Sequence, residues 1–184
     1  MTRRDLGLAT AIGLAGVGAA VAQEDTYDFM PPGGRGLLTG QLVAENGKTL
    51  SEIAGRDRDR TAWADWARRQ APELDPAAAE TFAGYAALNF PLPEEARKDL
   101  AQTGDPALLP PDGKDLAIQQ CQFCHSLFTG YLMHDRDETG WKGTFKSPFH
   151  SEIPMNEVER DTFANYSALN MPLEIEDVPP ELRF

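Results

Sequence analysis

One twelve-residue segment occurs twice in this chain. Thr81-Phe82-Ala83-Gly84-Tyr85-Ala86-Ala87-Leu88-Asn89-Phe90-Pro91-Leu92 matches Thr162-Phe163-Ala164-Asn165-Tyr166-Ser167-Ala168-Leu169-Asn170-Met171-Pro172-Leu173 at nine of twelve positions. Upstream, Arg58-Asp59-Arg60-Thr61-Ala62-Trp63 pairs with Arg136-Asp137-Glu138-Thr139-Gly140-Trp141. The offset is 78 residues at the tryptophans and 81 at the later segment, so the second copy carries three extra residues between them. A match of this length predicts two copies of one domain, and two copies are too few for a solenoid.

Each copy ends in a legible helix. In the first, Asp75 is an N-cap residue and Pro76 suits the first helical position, with Phe82, Tyr85 and Leu88 spaced for one face. In the second, Asn156 caps and Glu159 stands three residues on, as in a capping box. Phe163, Tyr166 and Leu169 repeat the apolar stripe, and Pro91 and Pro172 stop both helices. Shorter helices are predicted over 61–69 and 115–120. No strand alternation is sustained, so the predicted class is all-α. Residues 93–111 hold Pro93, Gly104, Pro106 and Pro110 and read as a linker with a helical turn near 94–100. The resulting division is 1–22, 23–92, 93–111 and 112–184.

The chain begins with Arg3-Arg4, runs through an apolar stretch from Leu6 and reaches Ala20-Val21-Ala22. That order reads as an export signal over 1–22, by the general or the twin-arginine route, and it predicts a periplasmic protein. No apolar run reaches the roughly 18–20 residues of a strong membrane span, so no stable span is expected after cleavage. The formal net charge is −12, which argues against nucleic acid as a partner because phosphates call for a basic face.

The only two cysteines lie in Cys121-Gln122-Phe123-Cys124-His125. This is the C-x-x-C-H attachment sequence for c-type haem. Cysteines three apart on a helix point the same way, so both sulfurs can form thioethers along one porphyrin edge. His125 then offers an imidazole nitrogen to the iron. Zinc held by Cys121, Cys124, His125 and His134, a redox pair and a structural disulfide are the competing uses of these residues.

With its helix entering through Gly113-Lys114-Asp115-Leu116, a Trp141 segment and a final helix bearing Tyr166, the second half resembles a class I cytochrome c domain. The first half resembles the same domain without its cofactor. At the offset of 78, Val43, Asn46 and Gly47 stand where Cys121, Cys124 and His125 stand. The resemblance implies two tandem cytochrome c-like helical domains, with one haem c in the second only. It also implies a methionine iron ligand shortly before the last helix. Seven residues after Trp63 and Trp141 stand Gln70 and Ser147, neither of them a methionine. The distal ligand is therefore sought among His150, Met155, Met133 and His134, with His150 and Met155 foremost. Trp141, Phe149 and Tyr166 are candidates to pack around the ring. Met171 aligns with Phe90 and reads as core.

The implied function is single-electron transfer rather than catalysis. The acidic surface suits a redox protein partner with a basic docking patch. The haem-less half suits a cytochrome subunit of a periplasmic dehydrogenase. The alternative is a haem enzyme or a gas or redox sensor with an open distal iron position.

Overall fold

The computed structural model describes residues 26–43, 46–122 and 124–183. The export-signal reading of 1–22 lies outside them. The regular elements among the described residues are all helices, with no strand among them, in agreement with the all-α expectation. No helix among them is long and apolar enough to cross a membrane.

The first half holds α1 (Gly34–Leu37), a wide turn over Leu38–Leu42, α2 (Gly47–Ala54), α3 (Arg60–Gln70) and α4 (Pro76–Asn89). The second holds α6 (Gly113–Cys121), a wide turn over Phe128–Leu132, α7 (Glu138–Thr144) and α8 (Glu157–Asn170). Between them lies α5 (Glu94–Thr103). The caps read from sequence are present. Asp75 accepts from Ala77 and Ala78 amides, and Asn156 forms a reciprocal capping box with Glu159.

Two apolar cores result. One gathers Trp63, Trp66, Phe82 and Phe90; the other gathers Tyr131, Trp141, Phe145 and Phe163. In each, an arginine lies 5.3 Å from the tryptophan ring centre, Arg58 over Trp63 and Arg136 over Trp141. Residues 93–111 are a packed connection. Leu100 of α5 and Leu109 are buried in the first core, and α5 packs along α2. Residues 174–183 also dock, with Val178 buried and Ile175 and Leu182 against the second core.

The halves meet where α4 crosses α8, and equivalent residues exchange equivalent bonds. Asn89 Nδ2 donates to Thr162 Oγ1 at 3.0 Å, and Asn170 Nδ2 donates to Thr81 Oγ1 at 3.0 Å. Both threonines are buried, so removing a donor leaves a hydroxyl short of a partner in a dry place. Asn170→Ala is expected to cost about 1–2 kcal/mol in denaturant melts. An unchanged midpoint would count against this role.

The repeat reaches further upstream than its strongest match. Pro31-Pro32-Gly33-Gly34-Arg35-Gly36 corresponds to Pro110-Pro111-Asp112-Gly113-Lys114-Asp115, at an offset of 79. Gly34 packs on Tyr85 as Gly113 packs on Tyr166, with no room for a Cβ at either. Tyr85 Oη donates to the Pro110 carbonyl at 2.8 Å and Tyr166 Oη to the Pro31 carbonyl at 2.7 Å. The segments before these prolines are exchanged. Met30 is buried in the second core and Leu109 in the first, so each half covers the other. Residues 26–30, grouped by sequence with the first half, pack on the second.

Candidate functional site

The helix α6 delivers the motif. Asp112 caps its start in a reciprocal box with Asp115, and Leu116 and Ala117 anchor it in the second core. Cys121 lies in its last turn, half-buried, and Cys124 follows on the surface. Both are free thiols. Burial pushes the Cys121 thiol up to about 12, so it is held as a neutral SH group rather than a thiolate.

His125 lies directly on the backbone of Gly130, where any Cβ would strike its ring. Its Nδ1 stands 3.3 Å from the Ser126 carbonyl. A carbonyl only accepts, so Nδ1 is the donor in this contact and Nε2 is the ring nitrogen left for another partner. Gly40 occupies the place of Gly130 in the first half and has open space around it. Gly130→Ala is therefore expected to displace the His125 ring and cost about 1–3 kcal/mol, whereas Gly40→Ala leaves the melting curve within about 0.5 kcal/mol. Equal effects of the two would remove the role assigned to Gly130.

Cys121, Cys124 and His125 line one cavity of about 550 Å³. That lies within the range of about 300–1,000 Å³ usual for small-molecule and cofactor sites. Tyr131, Trp141, Phe145 and Phe163 form its aromatic wall, and His134 and His150 add two imidazoles. Phe149 stands at the edge, 91 % exposed. Cys121, Cys124, His125 and His134, the four zinc ligands considered from sequence, all line this cavity, but among the described residues no three His, Cys, Asp or Glu side chains converge closely enough to hold a metal ion.

The sequence-predicted residues separate clearly here. His150 and His134 face the cavity; Met155 does not line it and is buried in the second core. Met133 is 48 % exposed and away from the cavity wall. Trp141 is in the wall, but Tyr166 is not: its ring packs on Gly113 and its hydroxyl holds Pro31. Met171 is core, as read. Tyr131, Phe145 and Phe163 also line the cavity, although no motif marks them and Phe163 reads from sequence only as part of a packing stripe. A signal for the Tyr131 region exists in Leu127-Phe128-Thr129-Gly130-Tyr131-Leu132, which repeats Leu37-Leu38-Thr39-Gly40-Gln41-Leu42 at four of six positions.

That match corrects the alignment of the motif. The offset is 79 before the motif and 90 after it, so the second half carries eleven residues with no counterpart, 116–126, and these contain the whole motif. Val43, Asn46 and Gly47 are not equivalents of Cys121, Cys124 and His125. Asn46 caps α2 instead, and Gly47 begins it. The first half also fills the place that is open in the second. Trp66 stands where Thr144 lines the cavity, and its ring lies 5.6 Å from Trp63 and 5.4 Å from Phe82.

Trp141 Nε1 is buried without a hydrogen-bond partner, as a nitrogen awaiting a cofactor's polar group would be. Trp63 Nε1 in the filled half is buried and unpartnered too, so this orphaned donor belongs to the repeat and does not single out the cavity. What does single it out is the donor chemistry: two thiols and an imidazole on an aromatic wall. No family model, curated protein or solved structure matches this chain.

Proposed function

We propose that this protein is a monohaem c-type cytochrome that carries single electrons in the periplasm, built from two cytochrome c-like halves of which only the second holds haem. The observation that carries the reading is the difference between the halves. Where the second presents Cys121, Cys124 and His125 to an aromatic-walled cavity, the first has no such segment and has Trp66 in the corresponding space. Cys121 and Cys124 would hold the porphyrin through thioethers, and His125 would be the proximal ligand through Nε2. The bound group supplies a one-electron couple. The chain's own residues exclude water from it, through Trp141, Phe145 and Phe163, and fix its orientation from both cysteines.

The net charge of −12 suits docking to a basic patch on a redox partner. Long-range attraction of this kind is screened within about 10 Å at 0.1 M salt. The haem-less half supplies a second folded surface for a larger assembly, such as a periplasmic dehydrogenase.

The test is expression of the full chain in a periplasm that matures c-type cytochromes. The expected product is red, its mass exceeds the processed chain by one tetrapyrrole, and its reduced form shows a c-type spectrum. It exchanges electrons with a basic redox protein at a rate that falls as salt rises. A colourless product of the bare chain's mass ends this reading.

A further inference from the structure

We propose that His150 is the second axial ligand, opposite His125, and that the two imidazole planes cross almost at right angles. This rests on the haem reading above. The two rings have their centres 6.4 Å apart and their planes at 80°. An imidazole nitrogen binds a metal at about 2 Å, and the ring centre lies about 1 Å behind it. Two such rings on one metal axis therefore stand roughly 6 Å apart, which is the spacing found.

The other donors are placed elsewhere. Met155 is buried in the second core outside the cavity wall, and Met133 faces solvent. His134 shares the cavity, but its ring contact is with Trp141. The turn that carries His150 is held in place. His150 and Ser151 amides both donate to the Ser147 carbonyl, at 3.0 and 2.8 Å. Arg160 of α8 donates through Nη2 to the carbonyls of Ser151 and Ile153, and its guanidinium lies 5.0 Å from the Phe145 ring centre. The turn that carries His150 is thus tied to α8, at a ring separation from His125 that two ligands of one metal would have.

Two imidazoles close the iron to added ligands. They also set its potential below that of a histidine–methionine pair, because the thioether raises it. The crossed planes carry a signature of their own. Near-perpendicular axial imidazoles give ferric iron a low-spin resonance with one very large g value, whereas parallel planes give a moderate rhombic spread.

The experiment is low-temperature electron paramagnetic resonance and redox titration of the mature haem-bearing protein beside His150→Ala, His150→Met and Met155→Leu. The expected wild type is low-spin with a single large g feature and does not bind carbon monoxide when reduced. His150→Ala turns high-spin and binds carbon monoxide. His150→Met raises the midpoint potential, and Met155→Leu leaves spectrum and potential as they were. Low-spin His150→Ala, or loss of the sixth ligand in Met155→Leu, overturns the assignment. So does a rhombic wild-type signal, which removes the crossed planes. The mass of each preparation separates the two layers: haem present with another ligand defeats this inference alone, while haem absent defeats the function as well.

Discussion

On the proposed haem reading, Cys121→Ser combined with Cys124→Ser is expected to abolish covalent attachment entirely. The serine hydroxyls are close in shape to the thiols, though smaller and more polar, and cannot form the thioethers. The variant's mass should equal that of the processed chain, and acidified solvent should extract any residual colour. Stability should fall with it. A cavity of about 550 Å³ walled by Tyr131, Trp141, Phe145 and Phe163 would be left without its filling. Apolar voids far smaller than this cost several kcal/mol each. For a chain of this length each kcal/mol moves the melting temperature by about 2–4 °C, so a drop on the order of 10 °C or more is expected. The first half keeps its own core around Trp63, Trp66 and Phe82, but the contact of α4 with α8 and the Tyr85 and Tyr166 bonds tie it to the second, so a single transition at the lower temperature is expected by calorimetry. Porphyrin that survives denaturing extraction in the double variant would defeat the thioether assignment.

Single-residue signals carried much of this structure, and long-range ones did not. Asp75, Asn156 and Glu159 act on amides within three residues, so their caps could be read locally. The C-x-x-C-H spacing is likewise local. By contrast, α1 is four residues long and has no cap of its own. The Asp112 carboxylate, 77 residues from Arg35 and 76 from Gly36, supplies it. Helix α5 reads from sequence as only a turn because Leu100 is its single buried residue, which gives no apolar period. The exchange of Met30 and Leu109 between cores left no mark in either segment's composition. The placement of His150 and Met155 depended on how the turn before α8 is tied down. Arg160 does that from outside the turn, through carbonyls that no sequence pattern displays. The eleven extra residues are hidden for a different reason: the spacing between the copies changes from 79 to 90 across the motif, so no single offset aligns both of its sides.

Asp112 is the residue on which the join between the halves most depends. One oxygen, Oδ2, accepts from the Arg35 and Gly36 amides at 2.9 and 3.2 Å, at the start of α1. The other, Oδ1, accepts from the Asp115 amide at 3.0 Å, at the start of α6. One carboxylate therefore caps equivalent helices in both halves. Its counterpart Gly33 has no side chain because the carboxylate occupies that space. Asp115, which closes the box through the Asp112 amide, is paired with Arg35 at 2.9 Å. Asp112→Ala strands three amides, and the loss of a cap costs about 0.5–2 kcal/mol for a single helix. With two helices involved, a loss of about 3 kcal/mol at neutral pH is expected in denaturant melts. Burial, and then the Asp115 charge, push the Asp112 carboxyl up to about 6 from its ordinary value of 3.8. An acid whose folded pKa is raised binds its proton more tightly when folded. Its contribution is therefore full below about 4 and declines as pH rises through about 6. The alanine variant lacks that slope, so the gap between wild type and Asp112→Ala should widen from pH 7 toward pH 4. A gap that narrows on acidification would mean that the ionised carboxylate, and not the protonated one, is the form the folded chain prefers.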